Sequence, residues 1–267
     1  NKMTDRLVII PARNEEKTIR DIVTRALKYA DVSVTDDGSR DRTSEILKEI
    51  EHECLQGRHV HSLHIITHHK TTHIPRGLQD GLKFGIQNGY TMFITMDAGL
   101  SHDPDMIPDF INLHPDTDIV IGSRTFTANV PVYRKLITWM GSVAINYTLS
   151  DSYFDVFGPG IKDCTSGFRR YSLRAAKIIA ESELKSVSFD FHTEALALCV
   201  RAGMSVDEIP IKYIFSNSSF NRRVLIQAIR FIIYLLRTKK RYSVKYQITR
   251  DILQKSKPII SGEKYDS

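Results

Sequence analysis

Three acidic residues follow apolar segments of this chain at points where a strand would end. Asp36 and Asp37 come after Val32–Thr35, and Asp97 follows Thr91–Met96. Carboxylates in such places accept hydrogen bonds from hydroxyl and N–H groups and bind hard cations such as Mg²⁺. We therefore take these positions as the first candidates for a binding site.

The elements that would position them alternate between strand and helix patterns. The Val- and Ile-rich run Arg6–Pro11 is typical of a buried parallel strand, and apolar residues then recur at helical spacing from Ile19 to Leu27. The same alternation predicts strands at Val32–Thr35, Ser62–Thr67, Thr91–Met96 and Asp118–Gly122, and helices around Ile46–Ile50, Gly77–Asn88 and Asp105–Leu113. We expect an open, mostly parallel α/β sheet.

Ligands of such sheets bind beyond the carboxyl ends of the strands. The loops predicted at that edge carry Arg13-Asn14-Glu15, Asp36-Asp37, Asp97 and Ser123-Arg124. Polar residues thus occur where this fold class places a binding site.

The second half of the chain is less regular. It predicts a helix at Pro131–Tyr153, a turn at Asp163–Arg169, a helix at Phe191–Ala202, a strand at Ser205–Tyr213 and a helix at Arg222–Arg241. The last helix is apolar around most of its circumference and has basic residues at both ends, but Arg230 in its middle argues against a membrane span. We expect it to lie at a membrane surface, and a core-packing or dimer helix is the alternative.

Composition sets the wider limits. A chain of 267 residues with 42% hydrophobic residues is expected to form one main domain with a short appendage. Its net charge of +6 suits an anionic ligand or a phospholipid surface as well as nucleic acid. Three cysteines without a CxxC pair favour neither a disulfide framework nor a zinc ribbon, and a reducing cytoplasm is the simplest compartment.

Several protein classes are disfavoured by missing motifs. The sequence has no apolar run of the roughly 20 residues that a spanning helix needs, and we expect neither a signal peptide nor an integral membrane protein. Neither GxGxxG nor GxxxxGK[ST] occurs, which argues against dinucleotide dehydrogenases and P-loop enzymes. The histidines from His59 to His73 lack a zinc-ligand spacing and are expected in an exposed loop.

Four segments together carry a resemblance to a known family: IIPARNEE, VTDDGSRDRT, ITMDAGLSHDP and DCTSGFRRYS. In this order and spacing they resemble the family-two inverting glycosyltransferases, and within them the branch that makes polyprenyl-phosphate sugars. The resemblance implies an α/β fold of the GT-A type, an open and mostly parallel nucleotide-binding sheet flanked by helices. It implies a catalytic domain at 1–220, followed at 221–267 by the basic amphipathic helix and a polar tail.

The resemblance also implies how the donor, a nucleotide sugar, is bound. The positions that match the family's donor site are Pro11, Arg13, Asn14, Glu15, Asp36, Asp37, Asp97 and Ala98. For Asn14 and Glu15 a helix cap is the alternative role, and for Asp36 an ordinary turn.

Asp97 matches the first carboxylate of the family's DxD motif, which holds Mg²⁺ or Mn²⁺ against the donor diphosphate. The third position is Gly99, so one expected carboxylate is missing. Ser101 and His102 follow and are the further candidate metal ligands; an imidazole would suit Mn²⁺ better than Mg²⁺. Asp103 is also near; the alternative is that Asp103 caps the next helix and that His102 is merely exposed.

The remaining implied roles concern catalysis and the acceptor. The candidate catalytic residues are Asp97, Arg124, Arg134 and Glu194, and the candidates for the acceptor phosphate are Arg134, Ser166, Arg222 and Arg223. Arginine suits phosphate oxygens because its planar fork donates two parallel hydrogen bonds. A membrane contact is the competing role for Arg222 and Arg223.

The expected activity is inverting transfer from a GDP- or UDP-sugar to dolichyl or undecaprenyl phosphate by a cytoplasmic enzyme peripherally bound to the membrane. A homo-oligomer or a membrane-protein partner is compatible with this, and nucleic acid is not expected. Transfer to a hydroxyl group is one alternative and would need Glu194 or Asp163 as base. A nucleotide-sugar binder that lost turnover at Gly99 is another, and a nucleotidyltransferase is weaker because its glycine-rich, lysine-containing loop is absent.

Overall fold

The computed structural model describes residues 4–128, 132–150, 154–155, 157–188, 190–214, 226 and 229–238, with the backbone alone at 125–128, 132–138 and 214. Within these residues one sheet has the strand order β3-β2-β1-β4-β6-β5-β7. The strands are β1 (Arg6–Ala12), β2 (Asp31–Asp36), β3 (Leu63–Thr67), β4 (Met92–Thr95), β5 (Ile119–Ala128), β6 (Arg169–Ser172) and β7 (Val206–Ile214). Strand β6 is antiparallel to its neighbours and the other pairings are parallel, which confirms the expected sheet.

Helices cover both faces of the sheet. They are α1 (Ile19–Ala26), α2 (Thr43–Leu55), α3 (Ile74–Gln87), α4 (Ile107–Asn112), α5 (Val132–Leu149), α6 (Leu173–Glu181), α7 (Asp190–Arg201) and α8, residues 229–238. Because successive strand side chains point to opposite faces, Leu7 and Ile9 join one hydrophobic cluster while Val8 and Ile10 join the other. The first cluster includes residues of α3, α5, α6, α7 and α8, and the second includes residues of α1, α2 and α4.

The strand order brings the predicted loops to one edge. Strand β1 lies between β2 and β4 and is parallel to both, so the three strands end at the same edge of the sheet. The amide of Asp37 donates to the carbonyl of Ala12 (2.9 Å), and that of Met96 donates to the carbonyl of Ile9 (3.1 Å). The loops after β1, β2 and β4 therefore begin side by side, at the position where α/β sheets bind ligands.

Strand β6 and helix α6 were not predicted from the sequence. Strand β6 begins with Arg169 and Arg170, which do not fit the apolar pattern of a central strand, yet both are buried. The guanidinium of Arg170 donates to the carbonyls of Phe110 (2.8 Å), Leu113 (2.8 Å), Thr117 (3.0 Å) and His114. These bonds replace the solvation that burial removes, so an arginine is tolerated where the pattern calls for a hydrophobic residue.

Other element boundaries differ by a few residues, and β5 extends well past Gly122, to Ala128. The predicted C-terminal helix is described at 226 and 229–238; its outer residues and the boundary at 220/221 lie outside the described residues. Phe231 and Leu235 pack into the first cluster, so one face of α8 is a core-packing face. No helix among the described residues is long and apolar enough to cross a bilayer.

We expect Arg170→Met to lower the free energy of unfolding by about 3 kcal/mol or more, because the carbonyls that Arg170 binds lose a charged donor inside the protein. Urea unfolding followed by circular dichroism measures this loss. Arg42→Met is the control, since the Arg42 side chain is 68% exposed and its loss should change stability by no more than about 0.5 kcal/mol. Equal stability losses in the two variants would contradict the role given to Arg170.

Candidate active site

The loops after β1 and β2 bind each other. The amide of Asn14 donates to Ser39 Oγ (3.0 Å), and Asn14 Oδ1 accepts from the amide of Arg40 (2.8 Å). The amide of Glu15 donates to Thr43 Oγ1 (2.8 Å). Asn14 has a φ of 56°, in the left-handed region that asparagine tolerates. Asn14 and Glu15 therefore join the two loops. Glu15 also binds the start of α1, because its carbonyl accepts from the amides of Thr18 (3.0 Å) and Ile19 (2.9 Å) and its Oε2 accepts from the hydroxyl of Thr18 (2.8 Å).

Asp36 binds the beginning of the next helix. Its Oδ1 accepts from the amide of Ser39 (3.0 Å) and its Oδ2 from the hydroxyl of Ser44. The residue is 1% exposed. The turn role of Asp36 is thus present in the structure, and its contact with a ribose or base stays a prediction.

Asp37 holds the connection between β3 and α3. Its Oδ1 accepts from the amide and hydroxyl of Thr72 (2.7 and 2.9 Å), and its Oδ2 from the amide of His73 (3.0 Å). Burial alone would raise the pKa of Asp37, but hydrogen bonds from Thr72, His68 and His73 outweigh it, and the pKa is lowered. The carboxylate is therefore ionised and bound to the loop at 68–73.

Of the three acidic residues Asp36, Asp37 and Asp97, Asp97 is the one that reaches solvent. Its side chain is 39% exposed, whereas that of Asp37 is 10% exposed and Asp36 is buried. Ala98 beside it is buried in the second cluster, which fixes the start of the loop. A Cβ added at Gly99 would meet no atom of the described residues within 4 Å, so among them the missing second carboxylate leaves open space. Pro11 and Arg13, the other donor-site candidates, are half-buried and exposed respectively at the end of β1.

His102 supports the Asp97 loop from the interior of the protein. It is 2% exposed, its ring stacks on Phe168 with 5.1 Å between centroids, and its Nδ1 accepts from the amide of Asp97 (3.1 Å). Burial lowers the pKa of His102, and a neutral ring that accepts at Nδ1 carries its proton on Nε2. Because Nδ1 is already occupied by the amide of Asp97, the assignment of His102 as a metal ligand gains no support from this geometry and stays a prediction. The alternative that His102 is exposed is wrong.

The residues on either side of His102 have different environments. Asp103 caps the 3₁₀ turn Pro104–Met106, accepting from the amide of Asp105 (3.2 Å), and it pairs with Arg25. The capping role of Asp103 is therefore confirmed. Ser101 is partly buried in the same loop as Asp97, and its predicted contact with a metal stays a prediction.

Arg124, which lies within β5, forms a bidentate ion pair with Asp163. Arg124 Nε lies 2.6 Å from Asp163 Oδ2 and Nη2 lies 2.7 Å from Oδ1. Burial would raise the pKa of Asp163, but the bonds and charge of Arg124 lower it to about 2. Both oxygens of Asp163 are occupied by Arg124, so the alternative role of Asp163 as a base gains no support from this position. Arg124 also lies over the ring of Tyr213, 5.4 Å from its centroid.

The turn after Asp163 is held from inside the protein. Arg169 donates to the carbonyls of Ser166 (2.7 Å), Cys164 (2.7 Å) and His192 (2.5 Å). A Cβ at Gly167 would lie 2.7 Å from His192 Nε2, so only glycine fits. The buried Ser166 Oγ has no hydrogen-bond partner among the described residues. Ser166 is thus positioned by its backbone, and its contact with an acceptor phosphate stays a prediction.

Comparison with known sequences decides the family. Residues 7–177 match the family described as glycosyl transferase family 2. The chain belongs to glycosyl transferase family 2. A dolichyl-phosphate N-acetylglucosaminyltransferase of Methanococcus voltae, which uses UDP-N-acetylglucosamine, is 30% identical over 82% of this chain and 90% of its own. An undecaprenyl-phosphate mannosyltransferase of Micrococcus luteus is 29% identical over 78% of this chain and 83% of its own.

A solved structure supports the fold of this family 2 chain. The mannosyltransferase PcManGT of Pyrobaculum calidifontis, in complex with GDP-Man and Mn²⁺, superposes with a TM-score of 0.57 over 95% of this chain and 81% of its own. Its sequence identity of 13% makes the likeness one of fold. The expected GT-A type sheet is confirmed.

Glu194 has a role in this family 2 chain that the sequence did not predict. Its carboxylate is 4% exposed and accepts from the amides of Lys185 (2.9 and 3.0 Å) and Ser186 (2.8 Å). It therefore anchors the loop before α7. Its predicted role in catalysis gains no support from this position and stays a prediction.

Three candidate residues lie where side chains are not described. Arg134 is in α5, with its backbone alone described, and Arg222 and Arg223 lie outside the described residues. Sequence reasoning also missed Glu208, which accepts from the amides of Lys162 (2.9 Å) and Asp163 (2.9 Å). It missed Ser39 and Thr43 as well, although both lie inside the segment VTDDGSRDRT that carries the resemblance.

The lowered pKa of Asp163 predicts a pH dependence of stability. The folded state keeps Asp163 ionised to lower pH than the unfolded state, so its contribution is complete above about pH 4 and is lost as the pH falls towards 2. Asp163→Asn should cost about 3 kcal/mol at pH 7, because Arg124 loses its partner, and should show a smaller decrease in stability between pH 4 and pH 2.

Urea unfolding across this pH range, with the exposed Asp116→Asn as control, measures both effects. An equal fall in the free energy of unfolding of the wild type and of Asp163→Asn between pH 4 and pH 2 would contradict the ion pair.

Proposed function

We propose that this glycosyltransferase transfers a sugar from a GDP- or UDP-sugar to a polyprenyl phosphate, with inversion at the anomeric carbon. Asp97 carries the proposal: it is a half-exposed carboxylate at the end of β4, on the edge that also presents the interlocked loops after β1 and β2. The named activities of the relatives support this acceptor class, since dolichyl and undecaprenyl phosphates are both polyprenyl phosphates.

A lipid-phosphate acceptor agrees with the state of the buried carboxylates. A hydroxyl acceptor needs a base, but the oxygens of Asp163 are occupied by Arg124 and those of Glu194 by two backbone amides. A phosphate nucleophile is already an anion and needs no base. Catalysis then consists of positioning the two substrates and stabilising the charge that develops on the leaving diphosphate.

The residues around Asp97 fit a divalent cation that is bound mainly by the donor. Among the described residues no cluster of three or more His, Cys, Asp and Glu side chains is arranged to hold a metal ion. Mg²⁺ and Mn²⁺ in such enzymes are held by one or two carboxylates together with substrate phosphates and waters. Asp97 would supply the carboxylate and Ser101 a hydroxyl, and the bound ion would offset the negative charge of the diphosphate.

The chain's own residues perform the other tasks in this proposal. The loops at 13–16 and 39–43 border the nucleoside, and their mutual hydrogen bonds keep them in place before the donor binds. The Arg124–Asp163 pair and the Arg169 bonds fix the turn at 163–168, which lines the acceptor side. A peripheral position on the cytoplasmic membrane face fits a water-soluble donor and a lipid acceptor.

A second candidate function is nucleotide-sugar binding without turnover. The open space beside Gly99 favours it, because the structure offers no second carboxylate there. A transfer assay distinguishes the two functions. It combines purified protein, radiolabelled UDP- and GDP-sugars and a polyprenyl phosphate, with and without Mn²⁺; labelled lipid supports transfer, and its absence with every donor contradicts it.

Asp97→Asn should reduce sugar transfer by about 100-fold or more, because the exposed carboxylate of the diphosphate site is lost while the fold is not. The assay above measures the rate, and circular dichroism checks the fold. The exposed Asp109→Asn, on α4, is the control and should keep wild-type activity. Near-normal transfer by Asp97→Asn would rule out the role of Asp97.

Gly99→Asp should tighten Mn²⁺ binding by about tenfold, because a second carboxylate enters open space next to Asp97. Titration with Mn²⁺ in the presence of a nucleoside diphosphate, followed by the electron paramagnetic resonance of unbound Mn²⁺, measures the affinity. The thermal unfolding midpoint should not change. An unaltered titration would show that other groups already complete the cation site.

A further inference from the structure

His68 lies between two carboxylates that belong to different elements. Its Nδ1 is 3.0 Å from Oδ1 of Asp37, just after β2, and its Nε2 is 3.2 Å from Oδ2 of Asp80 in α3. The His68 side chain is 13% exposed. Whichever nitrogen carries the hydrogen of a neutral ring, it donates to one of these carboxylates, and a protonated ring donates to both. The ring therefore connects the edge of the sheet to α3.

Helix α3 is a fixed anchor for this connection. Thr35 Oγ1 donates to the carbonyl of Gly77 (3.0 Å). A Cβ added at Gly77 would lie 3.4 Å from Thr35 Cγ2 and 3.7 Å from Pro11 Cβ, so the first turn of the helix packs against the ends of β1 and β2. Asp80 follows one turn later and also accepts from Nε of Arg76 (2.9 Å). The position of Asp80 is thus fixed relative to the sheet.

The loop that begins at His68 has a strained backbone. We call residues 68–73 the β3–α3 loop. Its last residue, His73, has φ 72° and ψ 163°, a region in which only glycine is free of strain. Such a conformation persists only where the surrounding bonds impose it. Here the amides of Thr72 and His73 both donate to the carboxylate of Asp37 (2.7 and 3.0 Å), which His68 also binds.

The β3–α3 loop lies against the turn after β2. A Cβ added at Gly38 would lie 3.4 Å from the carbonyl oxygen of His68 and 3.6 Å from the amide nitrogen of Thr71. The same turn binds the loop after β1, since Ser39 Oγ accepts from the amide of Asn14. The loops after β1, β2 and β3 therefore form one connected group at the carboxyl edge of the sheet, where α/β sheets bind ligands.

We propose that His68 is a positioning residue for the nucleoside part of the donor. It holds the β3–α3 loop as the third side of the nucleoside pocket, beside the loops at 13–16 and 39–43. The inference deepens the proposed function and rests on it for the presence of a nucleotide-sugar donor.

The contacts of Asp37 support this role. Its Oδ1 accepts from the amide and the hydroxyl of Thr72 and faces Nδ1 of His68, and its Oδ2 accepts from the amide of His73. These bonds use most of the lone pairs of the carboxylate and leave few for a ribose or a base. Asp37 thus acts on the donor through the loop that it holds, and His68 acts through Asp37.

The exposure of the β3–α3 loop separates a role in positioning from a role in folding. His69, Lys70, Thr72 and His73 are exposed, so the loop buries little apolar surface. Loss of its shape should therefore affect a ligand more than the stability of the fold.

Calorimetric titration of the full chain with UDP and with GDP, in the presence of Mn²⁺, tests the inference. His68→Leu should weaken binding of the nucleotide that the wild type prefers by about tenfold, because the loop loses its connection to α3. His68→Gln keeps one amide donor and should lose less. His52→Leu is the matched control, since His52 is an exposed histidine of α2, and it should bind like the wild type.

Asp80→Ala tests whether His68 acts through its connection to α3. It removes the anchor but leaves Asp37 and the β3–α3 loop unchanged, and it should weaken nucleotide binding by a similar factor. The double variant with His68→Leu should bind no more weakly than either single variant, because both changes break the same connection. Additive losses would contradict the connection.

Transfer kinetics give a readout that a purely structural role would not produce. His68→Leu should raise the KM for the donor by about tenfold and leave kcat within about twofold of the wild type, because the Asp97 loop and the acceptor side are unchanged. A lower kcat with an unchanged KM, together with a lower thermal unfolding midpoint, would indicate a loss of folded protein and would overturn the proposal.

The same experiments separate this inference from the proposed function. Nucleotide affinity of His68→Leu equal to that of the wild type would contradict the role of His68 alone. Nucleotide binding by the wild type without transfer, combined with weaker binding by His68→Leu, would contradict the proposed transfer and support the role of His68. A wild type that binds neither nucleotide would contradict both.

Discussion

The buried guanidinium of Arg169 makes the hydrogen bonds on which the turn before β6, the proposed acceptor side, depends. Its three hydrogen bonds reach the carbonyls of Cys164, Ser166 and His192, and so join the turn before β6 to helix α7. A buried charge that lost these acceptors would destabilise the fold by several kcal/mol, so the turn cannot move away from the helix without a large penalty. The close approach of Gly167 to His192 follows from the same constraint. The ion pair of Arg124 with Asp163 then attaches the outer end of this turn to β5.

The carboxylates of the site divide into those that build it and one that is available to a ligand. Asp36, Asp37, Asp163 and Glu194 each accept hydrogen bonds from backbone amides of neighbouring loops. Such bonds use the lone pairs that a substrate would otherwise meet. Asp97 differs because its amide binds Nδ1 of His102, while its Oδ2 lies 3.7 Å from the same nitrogen and its side chain is 39% exposed. The loop is thereby held by its backbone while the side chain reaches solvent.

The sequence was sufficient to predict the sheet and the edge at which the loops meet. Apolar runs such as Arg6–Pro11 identified the parallel strands because both faces of these strands are buried. The pattern failed at β6, where Arg169 and Arg170 are buried through hydrogen bonds to carbonyls that come from distant parts of the chain. It also failed to show which carboxylates point inward, since the partners of Asp37 and Glu194 depend on loop geometry. A residue type at the right position predicts where a site lies. The hydrogen bonds of that residue determine whether its side chain stabilises the loops of the site or is available to a ligand.

Gly99 has a physical interpretation in this light. The space beside it is open, so packing does not exclude a carboxylate at this position. A donor diphosphate and an acceptor phosphate would together bring several negative charges to one edge of the sheet, and each further carboxylate would add to their repulsion unless a cation offsets it. A site with Asp97 alone begins from less negative charge, in a protein whose net charge is +6. If the nucleophile is a phosphate, the absence of a second carboxylate therefore reduces the repulsion between the site and the acceptor. If the acceptor is a neutral hydroxyl group, that absence would only weaken the binding of the cation.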